Sequence, residues 1–135
     1  RTIVYGKFGV PAHITKSTEE LSVIYYDGVV IPGGFVSPAM LRMRPEVTMF
    51  VAAMRAAGKL VAMQCHGIWV GISAGIMRDV TATCYESLRD DLINAGGLYQ
   101  HDSPVVIYNN IITSPHYKHN GPFMKAVVEY IKRAS

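Results

Sequence analysis

The chain has 135 residues, of which 50% are hydrophobic types and 17% are charged, a balance too apolar for a disordered segment and sized for one compact domain. Its 13 Lys and Arg against 10 Asp and Glu are scattered, with no basic block to follow phosphates, which argues against nucleic acid as a partner. No apolar run reaches the roughly 18 to 20 residues that cross a bilayer and no leader precedes a cleavage site, so a soluble, non-exported protein without membrane association is expected. Two cysteines, Cys65 and Cys84, are too few for a disulfide framework and point to a reducing cytoplasm.

In chain order, residues 2–15 read as short β-favouring pieces broken by Gly6, Gly9 and Pro11, a peripheral hairpin. Asp27-Gly28-Val29-Val30-Ile31 is a short apolar run ending in Pro32-Gly33-Gly34, the pattern of a buried parallel strand entering a tight loop. Pro45 opens a helix whose apolar positions Val47, Phe50, Val51 and Met54 share one face, and Gly58 supplies its left-handed stop. Residues 59–64 form a second buried strand that runs through Cys65-His66-Gly67 into a helix over 68–74. Thr81 to Cys84 reads as a strand, after which Ser87 is expected to cap a helix with Asp90 and Asp91 in its first turn and Gly96-Gly97 at its end. Residues 105–108 and 111–114 flank Asn109-Asn110 as a hairpin, and a last helix starts near Asn120 with Phe123, Val127, Tyr130 and Ile131 on its apolar face.

Alternating strands and helices predict an α/β layered domain with a mainly parallel sheet and a hairpin at one edge. In such sheets ligands bind beyond the carboxyl ends of the strands, which is where Pro32-Gly33-Gly34 and Cys65-His66-Gly67 both fall.

A side chain thrust up from a sharp strand-to-helix turn makes a nucleophile elbow, and Cys65 before His66-Gly67 fits that pattern. Above the positive end of the following helix its thiol is expected to have a lowered pKa, while the amides of His66 and Gly34 converge as an oxyanion hole. The alternative is a buried structural thiol that ends a strand. For Cys84, with no helix-opening turn behind it, the structural reading is the expected one. His66 is the nearest base, although its pairing with Cys65 depends on non-helical geometry at the elbow. His116 and His119 lie in a loop after a strand, where His116 is either a second base in the crevice or a solvated loop residue. His13 and His101 are expected at the surface. No cofactor and no metal is expected.

These segments, together with Ala74-Gly75, Cys84-Tyr85 and Arg89-Asp90-Asp91-Leu92-Ile93-Asn94-Ala95-Gly96, resemble the PfpI family of intracellular cysteine proteases. Its superfamily also holds glyoxalases and deglycases, isonitrile hydratases and holdase chaperones. The resemblance spans residues 6–131 and implies a flavodoxin-like three-layer sandwich. It also implies Cys65 as nucleophile with His66 beside it, Gly34 and His66 amides as oxyanion hole, and Tyr85 as a residue lining the site. Gly33, in the loop at the strand end, and His116 are expected to line the substrate as well. Self-association is implied as well. The proteases draw a triad glutamate from a neighbouring subunit at a position held here by Ala39, which shifts the expectation from peptides towards small carbonyl substrates. A glutamine amidotransferase would need His-x-Glu where His116-Tyr117-Lys118 stands.

The family's first strand, helix and second strand, which carry a glutamate that tunes the cysteine, have no counterpart before Thr2. Residues 1–135 are therefore read as one PfpI-like domain, N-terminally incomplete, with the Val29-Val30-Ile31 strand expected at an open sheet edge. The reaction expected is thiol addition to a carbonyl, in peptide or amide hydrolysis or in glyoxalase or deglycase chemistry. A redox-sensing or chaperone-like protein is the non-enzymatic alternative.

Overall fold

A computed structural model describes residues 2–134. Its centre is a four-stranded sheet made of β3 (Gly28–Ile31), β4 (Leu60–Gln64), β7 (Val106–Tyr108) and β8 (Ile111–Ser114), in the order β3-β4-β8-β7. β3, β4 and β8 run parallel, with Gly28 opposite Leu60 and Val61 opposite Ile111, while β7 pairs antiparallel with β8 through the 109–110 turn. The mainly parallel sheet with an edge hairpin is the predicted arrangement.

Side chains alternate across β4 and thereby sort the helices into two layers. Val61 and Met63 pack with Ile111 against α2 (Pro45–Ala56) and α3 (Ile68–Ser73). Leu60 and Ala62 pack with Ile112 against Phe123 and Val127 of α5 (Asn120–Ala134). The result is an α/β/α sandwich of flavodoxin-like layering. The face of α2 is the predicted one: Val47, Phe50, Val51 and Met54 are its buried residues, each worth about 1.5–3 kcal/mol relative to exposure. Gly58, at φ 74°, turns the chain out of α2. β3 forms one edge of this sheet among the described residues, with β7 at the other, and Val30 remains 41% exposed.

Several local expectations are corrected. The strand over residues 81–84 shrinks to β5 (Thr81–Ala82), which pairs with an unpredicted β6 (Leu98–Tyr99) in a separate two-stranded parallel sheet. Ser87 caps nothing, because it lies inside a 3-10 turn (Glu86–Leu88) that runs directly into α4 (Arg89–Asn94), and neither segment has a side-chain cap. Of the asparagine pair only Asn109 takes positive φ, at 52°. Asn110 is buried and donates to the carbonyls of Arg55 and Lys59 at 3.1 and 2.6 Å, closing the end of α2 and aligning the start of β4. A short helix, α1 (Val36–Leu41), follows Gly34 in a segment without apolar periodicity.

The predicted N-terminal hairpin forms as β1 (Thr2–Tyr5) and β2 (Pro11–Ile14), paired antiparallel and exposed along both strands.

Candidate active site

The site is built where β4 stops. Gln64 is the last residue of the strand, and the backbone then bends so sharply that Cys65 takes φ 58°, a left-handed conformation costly for a residue with a side chain. Cys65–Gly67 form a single 3-10 turn, and α3 begins at Ile68. Two glycines make the bend possible through close approach. A Cβ on Gly67 would lie 2.5 Å from the Ile31 carbonyl oxygen, and one on Gly33 would lie 2.7 Å from Cys65 Cβ and 3.3 Å from its Sγ. Gly34, at φ 85°, turns the loop after β3 so that its amide faces the same sulfur. The elbow and the Pro32-Gly33-Gly34 loop thus meet at the carboxyl ends of adjacent strands, as the sequence implied.

Cys65 is half-buried, and its Sγ lies 3.3 Å from His66 Nδ1. The non-helical turn removes the objection that neighbouring residues point apart. Burial pushes the Cys65 thiol up, while the backbone amides of His66 and Gly34 pull it down, and burial wins. The expectation of an acidified thiol is therefore corrected: desolvation of the sulfur outweighs the two amides that face it. Burial also lowers the His66 pKa. Both shifts favour the neutral pair, thiol and imidazole, over thiolate and imidazolium. In that state His66 Nδ1 is positioned to accept the thiol proton as sulfur attacks.

No carboxylate holds the imidazole: among the described residues His66 makes no salt bridge, and Ala39 sits on α1. Aromatic rings hold it instead. His66 stacks on Tyr85 at 5.1 Å between centroids, meets Trp69 edge-on at 5.0 Å, and lies 5.5 Å from Phe35. Trp69 is itself fixed by a 3.1 Å bond from its Nε1 to Asp91 and by the Arg42 guanidinium over its ring.

The stack continues from Tyr85 to His116, whose ring centroids are 6.2 Å apart at 28°, and on to Tyr117. His116 is not a freely solvated loop residue: its Nδ1 accepts from the Lys118 amide at 3.1 Å and its carbonyl accepts from the buried Gln64 side chain at 3.2 Å. It stands behind Tyr85 rather than against the sulfur, as a wall rather than the partner of Cys65. Of the sequence-derived site residues, Gly33, Gly34, Cys65, His66 and Tyr85 come together directly, and His116 joins through Tyr85.

Phe35, Gln64 and Trp69 escaped the sequence reading. Gln64 carried a usable signal, a polar residue closing an apolar strand, because a buried amide must find partners. Trp69 stands three residues after His66, a spacing that brings side chains together on one helical face.

Beyond Tyr85 and His116 opens a cavity of about 730 Å³ that reaches His101 and His119 but not Cys65. His101, expected as a plain surface residue, is exposed and borders it. Cys84 is buried, and its thiol is pushed up to about 12, chiefly by burial and further by the charges of Asp91 and Cys65. Both cysteines are free thiols. Among the described residues no three histidine, cysteine or carboxylate side chains are grouped to hold a metal ion, and no helix is long and apolar enough to cross a membrane.

The sequence profile described as the DJ-1/PfpI family matches residues 1–130. The chain is 32% identical over 130 residues to the PfpI deglycase of Pyrococcus furiosus, covering 96% of this chain and 77% of that protein. It is 39% identical over 111 residues to YraA of Bacillus subtilis, whose name suggests a cysteine protease, covering 82% of this chain and 64% of that one. The crystal structure of a two-domain protein from Anabaena variabilis, with DJ-1/ThiJ/PfpI-like and ferritin-like domains, superposes with a TM-score of 0.91 at 32% identity over 97% of this chain and 37% of its own. With the elbow, the glycine loop and the layered sheet in place, the chain belongs to the DJ-1/PfpI family.

Proposed function

We propose that this chain performs thiol-dependent carbonyl chemistry, with Cys65 as nucleophile and His66 as its base. The observation that carries the reading is the elbow itself. Cys65 at φ 58° holds its sulfur 3.3 Å from His66 Nδ1 and under the amides of Gly34 and His66. A backbone that maintains such a conformation at a thiol facing a base and two donors has the parts of a nucleophile and an oxyanion hole.

In the first step the Sγ–C bond forms, the carbonyl π pair moves to oxygen under the two amides, and the thiol proton passes to His66 Nδ1. In an amide, collapse of the oxyanion expels the amine, which takes the proton back from His66, and water then cleaves the Cys65 thioester to release the acid and restore the thiol. A small aldehyde has no leaving group on the attacked carbon and forms a hemithioacetal once its oxygen takes the proton. The names of relatives, deglycase for the Pyrococcus protein and cysteine protease for YraA, both involve electrophilic carbon, and they support the broad class. Ala39 at the position of the proteases' triad glutamate, with rings rather than a carboxylate against His66 among the described residues, favours small or adduct carbonyls over unactivated peptide bonds. Stacked rings orient the imidazole but supply no charge to stabilise an imidazolium.

Methylglyoxal consumption and peptide-amide hydrolysis by the wild type and Cys65→Ala test this. Turnover of either compound that disappears in Cys65→Ala supports the assignment, and full turnover without the thiol refutes it.

One observation favours a second reading. Phe35, Val36, Met40 and Met43, beside the site, are all more than half exposed, a patch suited to a second copy of the chain or to binding of unfolded polypeptide. Self-association through this face, and the chaperone-like alternative, would both appear as loss of assembly or of client binding in Met40→Glu.

A further inference from the structure

Two openings adjoin the aromatic stack. The cavity of about 730 Å³ and a smaller one of about 300 Å³ share four lining residues, Tyr85, Glu86, Tyr99 and His101. Tyr85 is the ring against which His66 stacks, at 5.1 Å, and His66 touches the Cys65 sulfur. The junction thus begins one ring beyond the base, and an extended chain, advancing about 3.3 Å per residue from a carbonyl attacked by Cys65, carries its neighbouring side chains in that direction.

The charges there are unevenly spent. Among the described residues Glu86 forms no salt bridge, although its carboxylate borders both openings. Arg89, in the smaller opening, is paired with Asp90 at 3.1 Å, and Asp102 is contacted by His101 at 3.2 Å. Lys118 borders only the larger opening. Tyr99 supplies a second aromatic wall. Its phenol is pushed up first by burial, then by the charges of Cys84, Glu86 and Asp102 against the opposing Arg89, so both carboxylates act on this ring. The faces of Tyr85 are taken up by its stacks on His66 and His116, which leaves the Tyr99 ring beside a negative charge without a partner, a pairing that attracts cations, with lysine and arginine the side chains that deliver them.

We propose that Glu86, with the ring of Tyr99, forms a subsite for a cationic side chain, lysine or arginine, adjacent to the reacting residue of a polypeptide substrate. This rests on Cys65 being the nucleophile. It names the class of molecule that presents the carbonyl: a basic stretch of polypeptide carrying it, rather than a free small aldehyde alone. Neutral and acidic neighbours would leave Glu86 facing water or a like charge.

The test uses four N-acetyl-Xaa-Ala chloromethyl ketones with lysine, arginine, norleucine or glutamate as Xaa. Cys65 Sγ displaces chloride to form a thioether, and intact mass reads the rate. The basic probes are expected to label Cys65 about five- to tenfold more efficiently than the norleucine probe, with glutamate slowest, and the advantage should shrink as salt rises. Preference is read as a ratio within each variant, so a general change in thiol reactivity cancels. In Glu86→Gln the ratio should fall to near one.

Equal rates for all four probes in the wild type, or an undiminished ratio in Glu86→Gln, overturn the subsite while leaving Cys65 as nucleophile. Failure of every probe to label Cys65 in the folded protein instead removes the nucleophile on which the subsite rests.

Discussion

Cys65 and Cys84 offer one side chain in two settings. Each lies just beyond the carboxyl end of a strand, Cys65 directly after Gln64 of β4 and Cys84 two residues after Ala82 of β5. Cys65 sits on a left-handed bend, half-exposed, under two amides and against an imidazole. Cys84 is buried at 1% exposure, at the wall of the larger cavity, with the charge of Asp91 nearby, and its thiol is pushed up to about 12. Burial raises both thiols, so acidity does not separate them by itself. What separates them is exposure and a base: Cys65 faces the His66 Nδ1 at 3.3 Å, whereas Cys84, at the wall of the larger cavity, is almost fully covered and has no hydrogen bond to an imidazole among the described residues.

Experiments that strike at this contrast differ widely in expected size. The largest effect belongs to the thiol and its base. Cys65→Ala should lower turnover about a thousandfold or more, and His66→Ala about a hundredfold or more, with pre-steady-state kinetics reading the loss in the chemical step. Because burial lowers the His66 pKa, the acid limb of kcat/KM should fall below the ordinary histidine range near 6.5. A limb above that value would mean that His66 is not the base.

Next comes the bend that creates the difference. Gly67→Ala places a methyl 2.5 Å from the Ile31 carbonyl oxygen, a backbone atom that cannot swing away. A cost of about 1–3 kcal/mol in urea unfolding is expected, together with slower alkylation of Cys65. Gly58→Ala has open space at the same test and carries only the strain of φ 74°, about 1 kcal/mol, without touching thiol reactivity. Equal effects of the two variants on alkylation would break the link between close packing and the elbow.

A third measurement addresses the buried thiol. The folded state keeps the Cys84 proton up to about pH 12, whereas an unfolded cysteine releases it near 8.5, so above that pH the folded state binds more protons than the unfolded one. Stability must therefore be intact below about pH 8.5 and decline above it, by at most about 1.4 kcal/mol per pH unit until the folded thiol titrates. Cys84→Ala should flatten this decline while costing about 1 kcal/mol at neutral pH. An unchanged alkaline slope in the variant would assign the decline to other groups.

The smallest effect concerns Cys65 itself. Its iodoacetamide rate should rise with pH towards a midpoint above that of a free cysteine, since desolvation outweighs the two amides. A midpoint below the free value would restore the acidic thiol that the helix position alone suggested.

The elements legible in the sequence were those whose pattern is local. Val47, Phe50, Val51 and Met54 mark a helix face by spacing, and Val61 through Met63 mark a strand by unbroken apolarity. The elbow was legible because glycine at 33, 34 and 67 has few reasons to cluster near one cysteine other than backbone crowding, and the Gly33 and Gly67 distances bear that out. Less legible were β6, a two-residue strand that exists only because β5 pairs with it, and α1, which has no periodic face. Ser87 was misjudged because a good capping residue caps only where the helix actually begins, and an intervening 3-10 turn moved that point.

By itself, then, the sequence determined the layered α/β class and the strand-to-helix turn at Cys65, because periodicity and glycine placement are short-range consequences of backbone sterics; the family came from the likeness of ordered motifs to known proteins. The tertiary structure decided the chemistry around the sulfur. The balance of burial against two amides, the ring ladder from Trp69 through His66 and Tyr85 to His116, and the unpaired Glu86 beyond it join residues from the loop after β3, the turn after β4, α3, the turn before α4 and the loop after β8. Such contacts depend on how separate elements pack, and no spacing along the chain encodes the depth at which a thiol is buried.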